Sequence, residues 1–403
     1  MQATATRLDL QPIAFDYFEV FNSLNKDKSH YSSNDDICTP MECVKKMVDY
    51  IPNELWTREN IKVIDPCCGN GNFGAYCQYK THPNNIWYND INAQRIENCK
   101  CFLSPMNITQ MNAFDLDTQE WDLIMANPPF SGGGNKNQSL SNLFIEHCIS
   151  ILNDNGYLCF VVPNNWMTYN NNNTTLKKLL QNGSFIVIDN DIKKYFPSVG
   201  SSFSVFVWQK GVFDNQTKVI NSYLVNDIQN VVIPNNIPFI PLYVSQDVIS
   251  VIMKLMNGGN GRFNYRCDLH NFTQNEKLCD YQNAMFPYET VHTARITRYA
   301  KIKQDIYDKW VIIVPLSTYY IPYVRHNVNV TQSVGYIAFD TKREADDYLQ
   351  LLIRPEYKVL VHLTRYGNFN NIMVLKHLVF EKAFDFTESE QHEINKLANL
   401  IKY

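Results

Sequence analysis

The sequence withholds several features that would declare a class outright. Its 11 cysteines include no Cys-x-x-Cys pair, so neither a zinc ribbon nor a dithiol redox motif is expected, and no metal site. Their number is odd and several lie in apolar, strand-like runs, so they read as reduced core residues of an intracellular protein. No apolar run reaches the length of a membrane span; Trp310 to Tyr323 is interrupted by Pro315, Ser317, Thr318 and Pro322. Met1-Gln2-Ala3-Thr4-Ala5 lacks the basic start and apolar core of a secretory signal. There is no Gly-Lys-Ser/Thr phosphate loop and no internal repeat. Nor is there a strong excess of one charge, the net value being −4. The first 232 residues hold 17 basic and 23 acidic side chains and the remainder 19 and 17, so a weakly positive C-terminal part fits a polyanion without proving one.

What is present is a globular composition, 45% hydrophobic and 19% charged, in a chain of 403 residues, long enough for two domains. The break is placed at Ile233-Pro234-Asn235-Asn236-Ile237-Pro238, giving domains 1–232 and 233–403. Strand-helix alternation marks the first as α/β. Ile61-Lys62-Val63-Ile64-Asp65 is an apolar strand ending in an acid, followed by Pro66-Cys67-Cys68-Gly69-Asn70-Gly71-Asn72-Phe73. This reads as a short Gly-x-Gly turn, suited to a cofactor without phosphate whose amino-acid part wants a carboxylate and backbone groups. A second strand ends at Asp90, where a doubly wound fold places the carboxylate for ribose hydroxyls. A third leads to Phe114-Asp115, an aromatic and an acid suited to an adenine ring and its amino group. A fourth, Trp121 to Met125, runs into Ala126-Asn127-Pro128-Pro129-Phe130.

Two consecutive prolines stop that strand and remove two N–H donors. They leave an Asn amide, a proline carbonyl and an aromatic face held rigidly together, a device for gripping a flat amino-bearing group. Upstream, Thr39-Pro40 reads as a helix cap followed by Pro at the first helical position. Downstream, Gly132 to Ser139 reads as a lid, a DNA-contacting loop or a surface insertion, and Asn170 to Asn173 as a chain break. Lys194-Tyr195-Phe196-Pro197 places an aromatic pair in a loop. Arg295, Arg298, Lys301 and Lys303, interleaved with Tyr299, form a DNA-contact candidate or a solvated helix face. His292, Arg325 and Arg365 are weaker additions to that set.

In this order the motifs resemble those of the S-adenosylmethionine-dependent amino-methyltransferases, nearest the adenine-N6 DNA methyltransferases of the gamma arrangement found in restriction-modification systems. The resemblance covers roughly residues 31–210. It implies a Rossmann-like, mostly parallel seven-stranded sheet with helices on both faces, followed by an α+β target-recognition domain. It implies S-adenosylmethionine as cofactor, touched by Thr39, Asp65, Cys67, Gly69, Gly71, Phe73, Asp90, Phe114 and Asp115. Asn127, Pro128, Pro129 and Phe130 would be catalytic, and Phe130 with Phe196 would stack a flipped-out adenine. Double-stranded DNA is the implied partner, with a cognate restriction endonuclease beside it. Cysteine-based transfer to cytosine C5 is rejected, because the lone Pro-Cys pair, Pro66-Cys67, sits in the cofactor loop. RNA adenine-N6 transfer, glutamine-N5 transfer in protein and a degenerate DNA-binding module stay open.

Overall fold

The computed structural model describes residues 17–26, 37–117, 120–130, 140–169, 174–197, 202–213, 216–269, 275–317, 319–367, 369–381 and 383–402. The polar loop 32–36 and the runs 132–139 and 170–173 lie outside them. In chain order come α1 (Tyr17–Leu24), α2 (Met41–Asp49), α3 (Asn53–Trp56), β1 (Val63–Asp65), α4 (Asn72–Cys77), β2 (Ile86–Asn89) and α5 (Ala93–Leu103). Then follow β3 (Asn107–Thr109), β4 (Trp121–Ala126), α6 (Leu140–Ile151), β5 (Leu152–Pro163), α7 (Thr174–Asn182), β6 (Gly183–Asp189), β7 (Phe203–Lys210), β8 (Thr217–Asn221) and β9 (Asp227–Val231). The chain forms two compact units: 1–162 with 194–197 and 205–212, and the remainder.

In the first unit the strands run β3-β2-β1-β4-β5-β7, and β1 through β5 pair in parallel. Leu123, Ile124, Met125 and Ala126 of β4 are fully buried, as are Leu158 to Val162 of β5. Such continuous apolar runs are what a parallel strand covered on both faces requires. Each large side chain so buried contributes about 1.5–3 kcal/mol. From β1 the chain goes to β2 and β3 on one side, then returns to β4 on the other. This reversal opens a crevice at the carboxyl ends of β1 and β4, where open α/β sheets bind ligands. The fold is the α/β methyltransferase type expected from the sequence.

The second unit pairs β6 with β8 in parallel and β8 with β9 antiparallel. Beyond α8 (Gln246–Leu255) it adds β10 (Leu278–Cys279), β11 (Tyr288–Val291), β12 (Thr297–Ala300), β13 (Trp310–Pro315), β14 (Tyr323–His326), β15 (Asn329–Val330) and β16 (Val334–Phe339). These make a four-stranded sheet, β10-β12-β11-β15, and a three-stranded one, β14-β13-β16. The helices α9 (Lys342–Leu352), α10 (Pro355–Leu363), α11 (Ile372–His377) and α12 (Glu388–Leu400) close the chain. No helix among the described residues is long and apolar enough to cross a membrane.

His362 on α10 is 9% exposed, and burial together with Arg365 and Lys358 pushes its pKa down to about 4 from 6.5. A buried neutral imidazole must take up a proton on unfolding below pH 6.5. Its contribution is therefore complete above pH 6.5 and is lost as pH falls toward 4, by about 3 kcal/mol at most. Urea melts at pH 7.5 and 4.5 are expected to differ by that much less in His362→Gln.

Candidate active site

The glycine turn after β1 is longer than a Gly-x-Gly. Gly69, Gly71 and Gly74 form a complete Gly-x-Gly-x-x-Gly, the third glycine lying inside α4. A Cβ on Gly74 would stand 2.1 Å from the Tyr88 ring, so this glycine lets α4 lie against β2. Gly71 has φ +97°, and a Cβ there would meet Leu103 at 2.6 Å. Gly71 and Gly74 thus serve close packing, while Gly69, in open space with φ +54°, contributes its N–H, which donates to Asp90 Oδ2 at 2.8 Å. Asp90 Oδ1 accepts from Asn92 N at 2.8 Å. Asn89, fully buried, joins three strand ends. Its Nδ2 donates to the carbonyls of Pro66 and Met111 at 3.0 and 3.1 Å, and its Oδ1 accepts from Thr109 Oγ1 at 2.8 Å.

A cavity of about 580 Å³ opens over these ends. Of the residues singled out in the sequence, Cys67, Asp90, Phe114, Asn127, Pro128, Pro129 and Phe130 line it. Thr39, Asp65, Gly69, Gly71, Phe73 and Asp115 do not. Asp115 is exposed and Phe73 is buried in α4. The wall also contains Ile91, Arg95 and Asn112, which sequence reading missed. Ile91 is 70% exposed, an apolar residue directly after the strand-end acid, and that juxtaposition is the signal it carried. Arg95 had no such mark, since only the packing of α5 turns it to the cavity.

Asp65 is 2% exposed; its Oδ1 accepts from Cys67 N at 3.3 Å while its Oδ2 is buried with no hydrogen-bond partner. Burial holds this carboxyl well above the usual carboxylate range, and the charge of Asp90 adds to the effect. Burial also pushes the Cys67 thiol well up, with Asp65 and Asp90 adding. Cys67 is thus a protonated donor, its Sγ lying 3.6 Å from the Asn127 carbonyl, and a poor nucleophile.

Asn127 follows directly on β4. Its Nδ2 donates to the Ile37 carbonyl at 2.7 Å and to Thr39 Oγ1 at 3.0 Å. Its Oδ1 is buried and has no hydrogen-bond partner. The expected Thr39 helix cap is not formed. Pro40 occupies the cap position of α2 with φ −58° and ψ 145°, and no side chain caps this end; the Thr39 hydroxyl goes to Asn127 instead.

Phe196, expected as an open second face for a base, is 1% exposed and outside the cavity wall. A ring so enclosed is a packing residue. Phe196→Ala is expected to cost about 3–5 kcal/mol of stability by calorimetry or urea melts, a change that a stacking role on an open ring would not produce.

In the second unit, the basic run lies on β12 and the turns around it, so it is no helix face. Arg298 pairs with Asp280 at 2.8 Å and Lys303 with Asp308 at 2.6 Å. Lys301 Nζ lies over the Phe286 ring at 5.1 Å, while Arg295 and Ile296 sit exposed at the β11–β12 hairpin tip. Among the described residues, no group of three or more His, Cys, Asp or Glu could hold a metal.

Residues 46–196 match the family model described as Methyltransferase small domain. The chain is 25% identical over 175 residues to Type II methyltransferase M.VspI of Vibrio sp. (strain 343). That alignment covers 38% of this chain and 42% of that protein, so the match spans less than half of the curated relative. Among solved structures, it is similar to a nuclease-deletion mutant of the Type ISP restriction-modification enzyme LlaGI in complex with a DNA substrate mimic. There the TM-score is 0.54 at 13% identity, covering 94% of this chain and 56% of that one. The DrdV–DNA complex gives a TM-score of 0.52 at 10% identity, covering 90% and 56%. At these identities the likeness is one of fold.

The cavity fits S-adenosylmethionine, the cofactor of this domain. Asp90 offers carboxylate oxygens to hydroxyls, and Ile91 and Phe114, 70% and 38% exposed, offer apolar surface to a ring. Asp65, buried and outside the cavity wall, takes no part in that fit.

Proposed function

We propose that this chain, which carries an S-adenosylmethionine-dependent methyltransferase domain, methylates the N6 amino group of adenine in double-stranded DNA as part of a restriction-modification system. The observation that carries the reading is the Asn127 amide, whose two protons are engaged and whose oxygen is left without a partner beside Pro128, Pro129 and Phe130. The likeness to a type II methyltransferase and to restriction-modification enzymes solved with DNA supports the substrate class.

When bound, S-adenosylmethionine supplies an electrophilic methyl group on a sulfonium. Asp90 and the apolar pair Ile91 and Phe114 would hold its nucleoside part. The adenine N6 lone pair is delocalised into its ring. Asn127 Oδ1 and the Pro128 carbonyl accept hydrogen bonds from its two amino hydrogens and favour a pyramidal nitrogen with the lone pair directed outward. This is orientation and electrostatic stabilisation, with no covalent intermediate. Reaching the cavity requires flipping the base out of the duplex, at a cost of a few kcal/mol. Phe130, the half-buried ring of the wall, offsets roughly 1–3 kcal/mol by stacking. Arg295 and Lys301 contact phosphates, and Arg298 and Lys303 join them on exchanging their carboxylate partners for DNA.

Incubation with radiolabelled S-adenosylmethionine and duplex DNA, RNA or bulk protein, followed by mass spectrometry of the product, tests the reading. N6-methyladenine in duplex DNA is expected. Label confined to RNA or to protein glutamine, or none despite cofactor binding, overturns it.

A further inference from the structure

The amide oxygen of Asn127 can act as an acceptor only if the amide is held one way round. A carbonyl accepts and never donates, so the Ile37 carbonyl at 2.7 Å requires the amide nitrogen on its side. Thr39 Oγ1, at 3.0 Å, takes the second N–H. Turned over, the amide would set its own oxygen against the Ile37 carbonyl and put two donors where the unpartnered Oδ1 now lies.

The Thr39 segment is itself clamped. Pro40 keeps the residue before it extended, and a β-branched side chain has few rotamers. The Thr39 carbonyl accepts from Asn72 Nδ2 at 2.8 Å, Asn72 being the first residue of α4. Met41 N donates to Asn22 Oδ1 at 3.1 Å, which ties the start of α2 to α1. Thr39 is 3% exposed and does not line the cavity, so it has no open path to a ligand.

We infer that Thr39 is a positioning residue: with the Ile37 carbonyl it locks the Asn127 amide in the orientation that presents Oδ1 to the substrate amino group. The role rests on the proposed amino-group transfer, but the lock can be read without turnover.

Thr39→Val keeps the shape and removes the acceptor. At saturating cofactor and substrate, kcat is expected to fall roughly 10-fold, the loss of about one hydrogen bond, with the Kd for S-adenosylmethionine unchanged. Thr39→Ser should restore most of the rate. Should Thr39→Val fail to fold, Asn72→Ala loosens the Thr39 carbonyl, leaves the hydroxyl in place and should give a smaller fall in the same direction. Independently, selective 15N labelling of asparagine reads the Asn127 side-chain NH2 pair, assigned by its absence in Asn127→Ala. One of its two protons should move upfield in Thr39→Val and return in Thr39→Ser. An unmoved NH2 pair overturns the inference. So does a raised cofactor Kd with kcat intact, which would make Thr39 a cofactor contact. If the pair moves while the wild type methylates no nucleic acid, the lock stands and the substrate reading falls.

Discussion

Asn127→Ala is expected to abolish methyl transfer to DNA while cofactor affinity stays within a few-fold of wild type. The substitution removes the one side-chain acceptor at the end of β4 and leaves the Ile37 carbonyl and Thr39 hydroxyl facing a gap. Asp90, Ile91 and Phe114, which hold the cofactor in this reading, lie on other elements and keep their positions. Removing one preorganised acceptor of this kind costs on the order of 100- to 1000-fold in kcat. Radiolabel transfer and calorimetric titration, run on the same preparation, separate the two effects. Substantial turnover in Asn127→Ala would remove the catalytic assignment, and lost cofactor binding would make Asn127 part of the cofactor site.

Asp90→Ala should act in the opposite sense, on the cofactor first. Its carboxylate lines the cavity and also accepts from the backbone N–H groups of Gly69 and Asn92. Without it the glycine turn loses its tie to the end of β2, and hydroxyls of a bound nucleoside lose their acceptor. With about 1.5–3 kcal/mol for each hydrogen bond to a charged group, cofactor affinity should fall roughly 100-fold. Asp90→Asn, which still offers one acceptor oxygen, should fall less. Titration with S-adenosylmethionine decides it, and an unchanged Kd in Asp90→Ala would move the cofactor's hydroxyl site elsewhere.

The features legible beforehand were local ones. The apolar run before Asn127 and the two prolines after it marked a buried strand and its abrupt end, and β4 ends at Ala126. Parallel pairing of β1 with β2 and β4 forms a crevice at the strand ends, and of the three strand-end acids Asp90 lines it while Asp65 and Asp115 do not. The failures were all matters of partner choice. Thr39 read as a cap because its neighbours in the chain are a proline and a helix, yet its hydroxyl is used by a residue 88 positions away. Phe196 reads as an open ring because it lies in a loop, yet its side chain is 1% exposed while Lys194 and Pro197 beside it are exposed. The glycine turn reads as Gly69-x-Gly71, and the part played by Gly74 shows only against the Tyr88 ring.

By itself the sequence determined the fold class, the strand ends and the tetrad at Asn127, because backbone preferences and burial periodicity are set by near neighbours. Which way the Asn127 amide faces, which acids reach the cavity and which aromatic stays open were decided only by the tertiary structure. A hydrogen bond or an exposed ring depends on atoms brought together from distant parts of the chain, and no local pattern records them.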